Sequence, residues 1–555
     1  MSDLRNLILA VVSATIVLFG WNYFYEMPRQ EVQRKNSSKL AKMHKEKKLI
    51  GLNRIYSRNE VLNNSPRIKV DTPRLGGSIS LRGGRIDDLI LKNYHSTVEK
   101  DSPLVELLSP SGTDKSYFAE FGWVTNNKSI EVPTAQTLWK ADKTVLQADS
   151  KVNLYWYNNQ GIKFVIEYIL DDDYMFSIKQ TVINKSNKVI QYQNYGLVSR
   201  LVPKDAKSAV FHEGPIGVFN KLLKETSYSD LTDDKKISYM NNGSGSWLGF
   251  SDKYWLTSIV PDFAHKFDAH YTFVPFDTKH SRFQVDYVGE LQALNPGQED
   301  SNISYFYAGA KSLSLLEFYQ EYLKLDLFDR AIDFGWFYFI TKPLFNALKY
   351  FYDLVGNFGI SILIVTVIVK VLLMPLANKS FRSMNKMKKL QPQIAAIKEL
   401  HSNDKMKMNQ AMMELYKREK VSPLSGCLPL LIQIPIFFSL YKVIFISIEM
   451  RHAPFFGWIR DLSAPDPTSV FNLFGLIPWS PPSLLMIGVW PIVMAITMYL
   501  QQKMSPPPSD PAQATMMKFL PLIFLFMFSS FPAGLVIYWA WSNILSIGQQ
   551  YYLKR

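Results

Sequence analysis

The stretch from Gly359 to Leu376 is an apolar run broken by one charge, Lys370, and it is long enough to cross a bilayer as a helix. A cation at membrane depth costs about 2.5–3.5 kcal/mol on insertion scales, so it either serves a purpose there or escapes to the interface. Lys370 lies roughly 9–12 Å of helix rise from the end of the run, and a lysine side chain can snorkel about half of that. Position alone leaves both readings open, a snorkelling anchor and a functional intramembrane charge.

Mean hydropathy is −0.05 and 47% of residues are apolar, values ordinary for a soluble chain. The average hides a partition, because the apolar residues concentrate at the N-terminus and after residue 330. Met1–Asn6 followed by the apolar Leu7–Gly20 reads as a signal sequence without a small-residue cleavage site. Trp21, Tyr23, Phe24 and Tyr25 follow as an aromatic belt, so residues 1–25 are read as an uncleaved anchor with its N-terminus in the cytoplasm. Eight Lys/Arg between Arg29 and Lys48 oppose that orientation, although long domains translocate largely regardless of charge. Residues 26–65 have few large apolar residues and read as a flexible linker.

From residue 66 to 310 the texture is β. Runs such as Ser78–Leu81, Val152–Tyr157, Phe164–Ile169, Phe176–Ile183 and Phe283–Val288 alternate or are β-rich, and turn clusters such as Asn158–Gly161 separate them. No βαβ rhythm intervenes, which predicts an antiparallel sandwich of about 240 residues. Residues 311–357 are expected to hold an amphipathic helix, capped by Ser312 and running to Lys324, with a connector. Leu315, Leu316, Tyr319, Tyr322 and Leu323 would form its apolar face, lying at the membrane interface or packed on the sandwich.

Four further spans are expected at 358–377, 425–446, 483–502 and 518–541, five with the N-terminal anchor. The loop 378–424 carries 11 Lys/Arg against 4 Asp/Glu, and 447–482 carries 2 against 3. The positive-inside rule therefore places 378–424, 503–517 and the tail 542–555 in the cytoplasm, with the β domain and 447–482 outside. Inside the basic loop, Met384, Met387, Leu390, Ile394 and Ile397 step by three or four, as do Met408, Met412 and Leu415. Turn chemistry at Leu400–Asp404 separates the two sets, so two amphipathic helices form a hairpin. Its methionines suit either an adaptable contact surface or a simple seam between the two helices.

No phosphate loop, dinucleotide fingerprint, zinc-protease helix or nucleophile elbow is present. The histidines are scattered, and the single cysteine, Cys427, has no neighbouring base. No cofactor or metal is implied, and the basic residues form no nucleic-acid reading module. Polar groups do recur within the spans. Thr366 lies on the same helix face as Lys370, four residues before it. Gln433 sits between Pro429 and Pro435, and Tyr538, Trp539, Ser542 and Asn543 close the last run. Such groups either bond across helix interfaces or line a wet cavity.

Several long stretches carry a resemblance. They are Phe328-Asp-Arg-Ala-Ile-Asp-Phe-Gly-Trp-Phe-Tyr-Phe339 with Thr341-Lys-Pro343, Met384-Asn-Lys-Met-Lys-Lys-Leu-Gln-Pro392, Pro423-Leu-Ser-Gly-Cys-Leu-Pro-Leu-Leu-Ile-Gln-Ile-Pro-Ile-Phe437, Gln502-Lys-Met-Ser505, Phe531-Pro-Ala-Gly-Leu-Val-Ile-Tyr538 and Gly245-Ser-Trp-Leu-Gly-Phe-Ser-Asp-Lys-Tyr-Trp255. Together they resemble the YidC/Oxa family of membrane protein insertases, Gram-negative type, over nearly the whole chain. The resemblance implies a polytopic α-helical protein of the inner membrane with a large all-β supersandwich domain in the periplasm, and no enzyme activity. It implies a hydrophilic groove holding Lys370, Thr366, Gln433, Phe437, Tyr538 and Trp539, and hairpin contacts through Met384, Met387, Lys388, Lys389, Met408 and Met412. Implied partners are nascent membrane proteins, the Sec translocon, membrane lipids, and ribosome or targeting factors. Lysine stands at 370 where the family often has arginine, which keeps the charge but loses the bidentate fork. Trp539 follows Tyr538 where a tyrosine pair can occur, and the short tail after Gln550 argues against ribosome docking through a basic extension. An ion or solute transporter and a membrane-anchored carbohydrate-active protein are the rival classes.

Overall fold

The computed structural model describes residues 55–127, 129–205, 211–241, 244–401, 404–419, 428–479, 481–482, 485–504 and 511–554. The N-terminal anchor at 1–25, nearly all of the linker and Cys427 lie outside the described residues. Two units separate at Asp333/Phe334, and each is described by itself.

The first unit is built from two sheets of eleven and nine strands, antiparallel except where Lys69 and Val70 pair with Val145 and Leu146 in parallel. Period-2 patterning produces the expected sandwich. In Ile162–Leu170, every odd position of the strand is buried and its neighbours are half-exposed, which is how one face of a sheet seals a core. The two inner faces meet through Phe121 and Phe306, 6.1 Å apart. Polar groups trapped between the sheets bond across the gap: the Tyr117 hydroxyl and Thr257 Oγ1 lie 2.6 Å apart, and Gln180 Nε2 donates to the Gly122 carbonyl at 2.7 Å.

Two readings change here. The end of the linker is helix α1 (Arg58–Asn63), not flexible chain. Ser57 and Glu60 form a reciprocal capping box, and Arg58 pairs with Asp88 of the sandwich. After α2 (Tyr228–Asp234) comes α3 (Leu313–Tyr322), which buries Leu313, Leu316 and Tyr319. Tyr319 donates to Asp171 and its ring meets Tyr307 at 5.7 Å, so α3 packs one face on the sandwich and leaves Phe318 and Tyr322 exposed on the other. Ser312 sits at its N-cap position but makes no side-chain cap. Lys311, 4% exposed, donates to Ser251 Oγ at 3.0 Å and to the Ala331 carbonyl at 3.1 Å. Burial pulls its pKa down to about 8.

The second unit is helical: α4 (Tyr338–Val355), α5 (Phe358–Leu400), α6 (Lys405–Arg418), α7 (Leu428–Ile446), α8 (Val489–Met504), α9 (Pro511–Phe528) and α10 (Ala533–Lys554). The helix read from Ser312 to Lys324 is α3 of the first unit, and much of the connector after it is the helix α4. α4 buries Thr341, Leu344, Phe345 and Leu348 and stacks Tyr352 on Phe358 at 3.8 Å.

α5 runs unbroken for 43 residues through Pro375 and Pro392. The boundary expected at 377/378 is therefore a change in charge, not in backbone. Its C-terminal part pairs with α6 through Leu390, Ile394, Leu415 and Tyr416, with Met387, Ile397 and Met412 against them. Asp404 caps α6 by accepting from the Met406 and Lys407 amides. The two helices pack as a hairpin, and Met387 and Met412 belong to its seam.

The run 518–541 is not one helix. Ser529 and Ser530 turn their hydroxyls back onto the Phe526 and Met527 carbonyls at 2.7 and 3.1 Å, and Pro532 cannot supply an amide to continue the ladder. α10 then starts afresh. The Ala533 and Gly534 amides donate to the Ala464 and Leu462 carbonyls at 2.7 and 3.0 Å, satisfying a helix start that would otherwise be orphaned.

Candidate functional site

α10 packs against α5 and α8 and touches α7, and the four helices, with Met517 and Leu520 of α9, line an open cavity of about 240 Å³. Trp539, Ser542, Asn543, Ser546, Gln549 and Gln550 line it from α10, at the three-, four- and seven-residue spacing that keeps side chains on one helix face. Opposite stand Lys370 of α5, Gln433 of α7 and Gln501 and Gln502 of α8.

Lys370 Nζ donates to Ser546 Oγ at 3.0 Å, and Ser546 Oγ donates in turn to the Ser542 carbonyl at 2.9 Å. The ammonium is therefore tied inward to α10 and does not snorkel. Among the described residues no carboxylate lines the cavity and none pairs with Lys370, so its charge is available to an acceptor that enters. Gln433 Nε2 donates to the Tyr538 hydroxyl, joining α7 to α10. Asn543 Nδ2 donates to Thr497 Oγ1 at 3.2 Å, and Gln549 Nε2 to Asn378 Oδ1 at 2.7 Å. These amide and hydroxyl bonds hold α10 to α5, α7 and α8 while leaving a polar lining.

The outer surfaces are the reverse. Val367, Ile368, Val371 and Leu372 of α5, and Phe519, Leu522, Ile523 and Phe526 of α9, are exposed apolar side chains. Only 22% of the most apolar window of α5 is covered by protein. Water does not tolerate apolar surface of this extent, and lipid does.

Of the residues expected in the groove, Lys370, Gln433, Tyr538 and Trp539 line the cavity. Phe437 does not; it stands edge-on to Trp539 at 4.8 Å and meets Phe528 at 5.8 Å, forming an aromatic wall behind the lining. Thr366 is buried and its hydroxyl donates to the Ile362 carbonyl at 2.6 Å, so it caps its own helix turn away from the cavity. Met384, expected as a hairpin contact, lines the cavity instead. Lys388 and Lys389 are exposed on the hairpin, and Met408 is half-buried. The lining residues Ser546, Gln549 and Gln550 were legible only as a polar stripe continuing the face of Ser542, beyond the expected end of the last span.

Residues 67–347 match the family described as the YidC periplasmic domain, and residues 350–555 that described as the 60Kd inner membrane protein. The membrane protein insertase YidC of Rickettsia bellii is 50% identical over 100% of this chain and 99% of its own length. That of Rickettsia prowazekii is 51% identical over the same shares. The chain belongs to the YidC family of membrane protein insertases. A crystal structure of an active YidC insertase with its first transmembrane domain resolved is also similar, at 18% identity over 88% of this chain and 93% of that one, with a TM-score of 0.37. As a YidC-family member the chain combines an all-β periplasmic domain with a helical inner-membrane part. The named relatives are insertases, and neither a transporter nor a carbohydrate-active reading is favoured.

Proposed function

We propose that this chain brings hydrophobic segments of nascent membrane proteins from the cytoplasm into the inner membrane through the cavity around Lys370. The observation that carries the reading is a cationic, amide-lined cavity with no carboxylate among its described residues, formed by helices whose outer surfaces are apolar. A segment bearing a few polar or acidic residues pays less to enter such a cavity than to cross intact lipid. Its apolar part then moves sideways into lipid, driven by about 0.8 kcal/mol per buried CH₂. No nucleotide is needed. The hairpin of α5 and α6, with Lys388 and Lys389 exposed, is the first contact for the substrate and for a ribosome or targeting factor, and the chain works alone or with the Sec translocon.

Complementation of a depletion strain tests the division of labour. Deleting 70–300 is expected to leave insertion largely intact, whereas deleting 380–420 abolishes it. A strict requirement for the sandwich with a dispensable hairpin would overturn the reading.

The topology we propose has six crossings: the N-terminal anchor, the first half of α5, and α7, α8, α9 and α10. Five crossings from a cytoplasmic N-terminus would strand the Lys554-Arg555 tail outside. The break at Ser529–Pro532 supports the sixth and returns the tail to the side favoured for basic residues. In a Cys427→Ser background, a cysteine at 530 is expected to label from outside intact spheroplasts. One at 400 or 552 should label only after permeabilisation. Labelling of 552 from outside, with 530 silent, would exclude this arrangement.

A further inference from the structure

Between Asp466 and Lys503 the chain carries no charge at all. Nearly all of α8, up to Gln502, belongs to this stretch; before it comes a loop whose neck is clamped to that helix. Asp466 accepts from the Trp490 amide at 2.9 Å, Thr468 Oγ1 accepts from the Val489 amide at 3.1 Å, and the Val470 amide donates to the Ile487 carbonyl at 3.1 Å. The clamp satisfies the first amides of α8 and fixes the loop at the end of a helix with a lipid-type exterior.

The tip of the loop is apolar and uncovered. Phe471, Leu473, Phe474, Leu476, Ile477 and Trp479 are 46, 53, 54, 83, 43 and 47% exposed. Several amides of this tip are satisfied from within the loop. The Phe471 amide donates to Ser469 Oγ at 3.2 Å, that of Phe474 to the Ser469 carbonyl at 2.8 Å, that of Ile477 to the Asn472 carbonyl at 3.0 Å, and that of Trp479 to the Ile477 carbonyl at 2.7 Å. Asn472 Nδ2 adds a bond to the Trp479 carbonyl at 3.3 Å. Internal satisfaction is the condition that a hydrocarbon environment imposes on backbone. Leu473 and Phe474 also adopt φ of 50° and 59°, a left-handed conformation that β-carbon-bearing residues take only where the surroundings reward it.

We infer that residues 471–479 form a lipid-inserting tip, seated in the bilayer interface beside the start of α8. Its occupant is phospholipid: an uncharged, aromatic-rich surface fits the headgroup–acyl boundary, and α8, the helix to which the neck of the loop is clamped, itself exposes Ile496 and Leu500. The depth expected of such a surface is about 5–10 Å below the headgroups. The tip fixes the register of α8 in the membrane, and so the height of Gln501 and Gln502 in the cavity.

The test is nitroxide labelling of the full-length protein at 474 or 476, in a Cys427→Ser background, reconstituted in phosphatidylethanolamine/phosphatidylglycerol vesicles. The control is a label at 240, where Met240 is 76% exposed on the sandwich. Labels at 474 and 476 are expected to collide more with oxygen than with a water-soluble nickel chelate, and the label at 240 to show the reverse. Nickel accessibility at 474 and 476 equal to that at 240 would overturn the inference. So would nickel accessibility in vesicles combined with protection in native membranes, which would assign the tip to a protein partner. Folding of each labelled variant is checked by protease resistance, and a misfolded 474 variant leaves 476 to decide.

Discussion

Lys370→Glu is expected to cripple insertion of substrates whose hydrophilic segment is acidic while sparing those with a neutral segment. An acidic residue entering the cavity then meets a like charge where it had met an ammonium, in a medium that screens poorly. A penalty on the scale of an unrelieved intramembrane charge, about 3 kcal/mol, corresponds to roughly a hundredfold loss. Lys370→Arg should be tolerated because the charge persists. Lys370→Ala should be milder than glutamate, because Ser542, Ser546, Gln433 and Asn543 keep the lining polar. The measurement is insertion of one acidic-tailed and one neutral-tailed substrate, normalised to the amount of folded insertase. A Lys370→Glu protein present at normal level and inserting both equally well would remove the charge from the mechanism.

Gly249→Val is expected to unfold the sandwich without stopping insertion. Gly249 lies in the strand Trp247–Ser251, and a β-carbon there would stand 1.8 Å from the Thr257 carbonyl oxygen and 2.7 Å from the Ser258 α-carbon. Those atoms belong to the neighbouring strand, paired at Leu248–Ile259 and Ser251–Leu256, so neither side can yield without losing the ladder between them. A clash of this kind belongs with the exceptional losses, above about 4 kcal/mol. In spheroplasts the 67–310 region should become protease-sensitive, while the depletion strain is still rescued. A protease-resistant variant would show that the strand pair can open, and a variant that folds normally but fails to rescue would give the sandwich a direct part in insertion.

Much of this architecture is readable from residues alone, for identifiable reasons. A strand buried on one face writes period 2 into its sequence, so Ile162–Leu170 and Phe176–Ile183 declare themselves. The hairpin is equally plain because Met387, Leu390 and Ile394, and then Met408, Met412 and Leu415, repeat at helical spacing on either side of a turn. Other features leave weaker traces. The α9–α10 break is hidden because Phe531 and its neighbours keep the run apolar, and only Pro532 and two serines mark the turn. The capping box of α1 is two residues, Ser57 and Glu60, in a stretch otherwise too polar to suggest order. Thr366 shares a face with Lys370, yet its hydroxyl is spent on the Ile362 carbonyl, so a common face is necessary for a common site but does not suffice. The polar stripe from Ser542 to Gln550 is mild in hydropathy and blends into a tail, although it supplies most of the cavity wall on α10.

The break at Ser529–Pro532 also bears on how the chain itself reaches its membrane. On a six-crossing arrangement α9 and α10 form a hairpin whose outer turn is four residues without charge. The loop between α7 and α8, by contrast, must carry Glu449, Arg451, Arg460, Asp461 and Asp466 across. Translocating a short neutral turn costs little, so on that arrangement α9 and α10 can enter as a pair, without a pore. The sandwich and the charged loop need machinery already in place. On that arrangement a newly made copy would need translocation equipment for the sandwich and the charged loop, whereas its cavity wall, α10, would enter with α9 by simple partitioning.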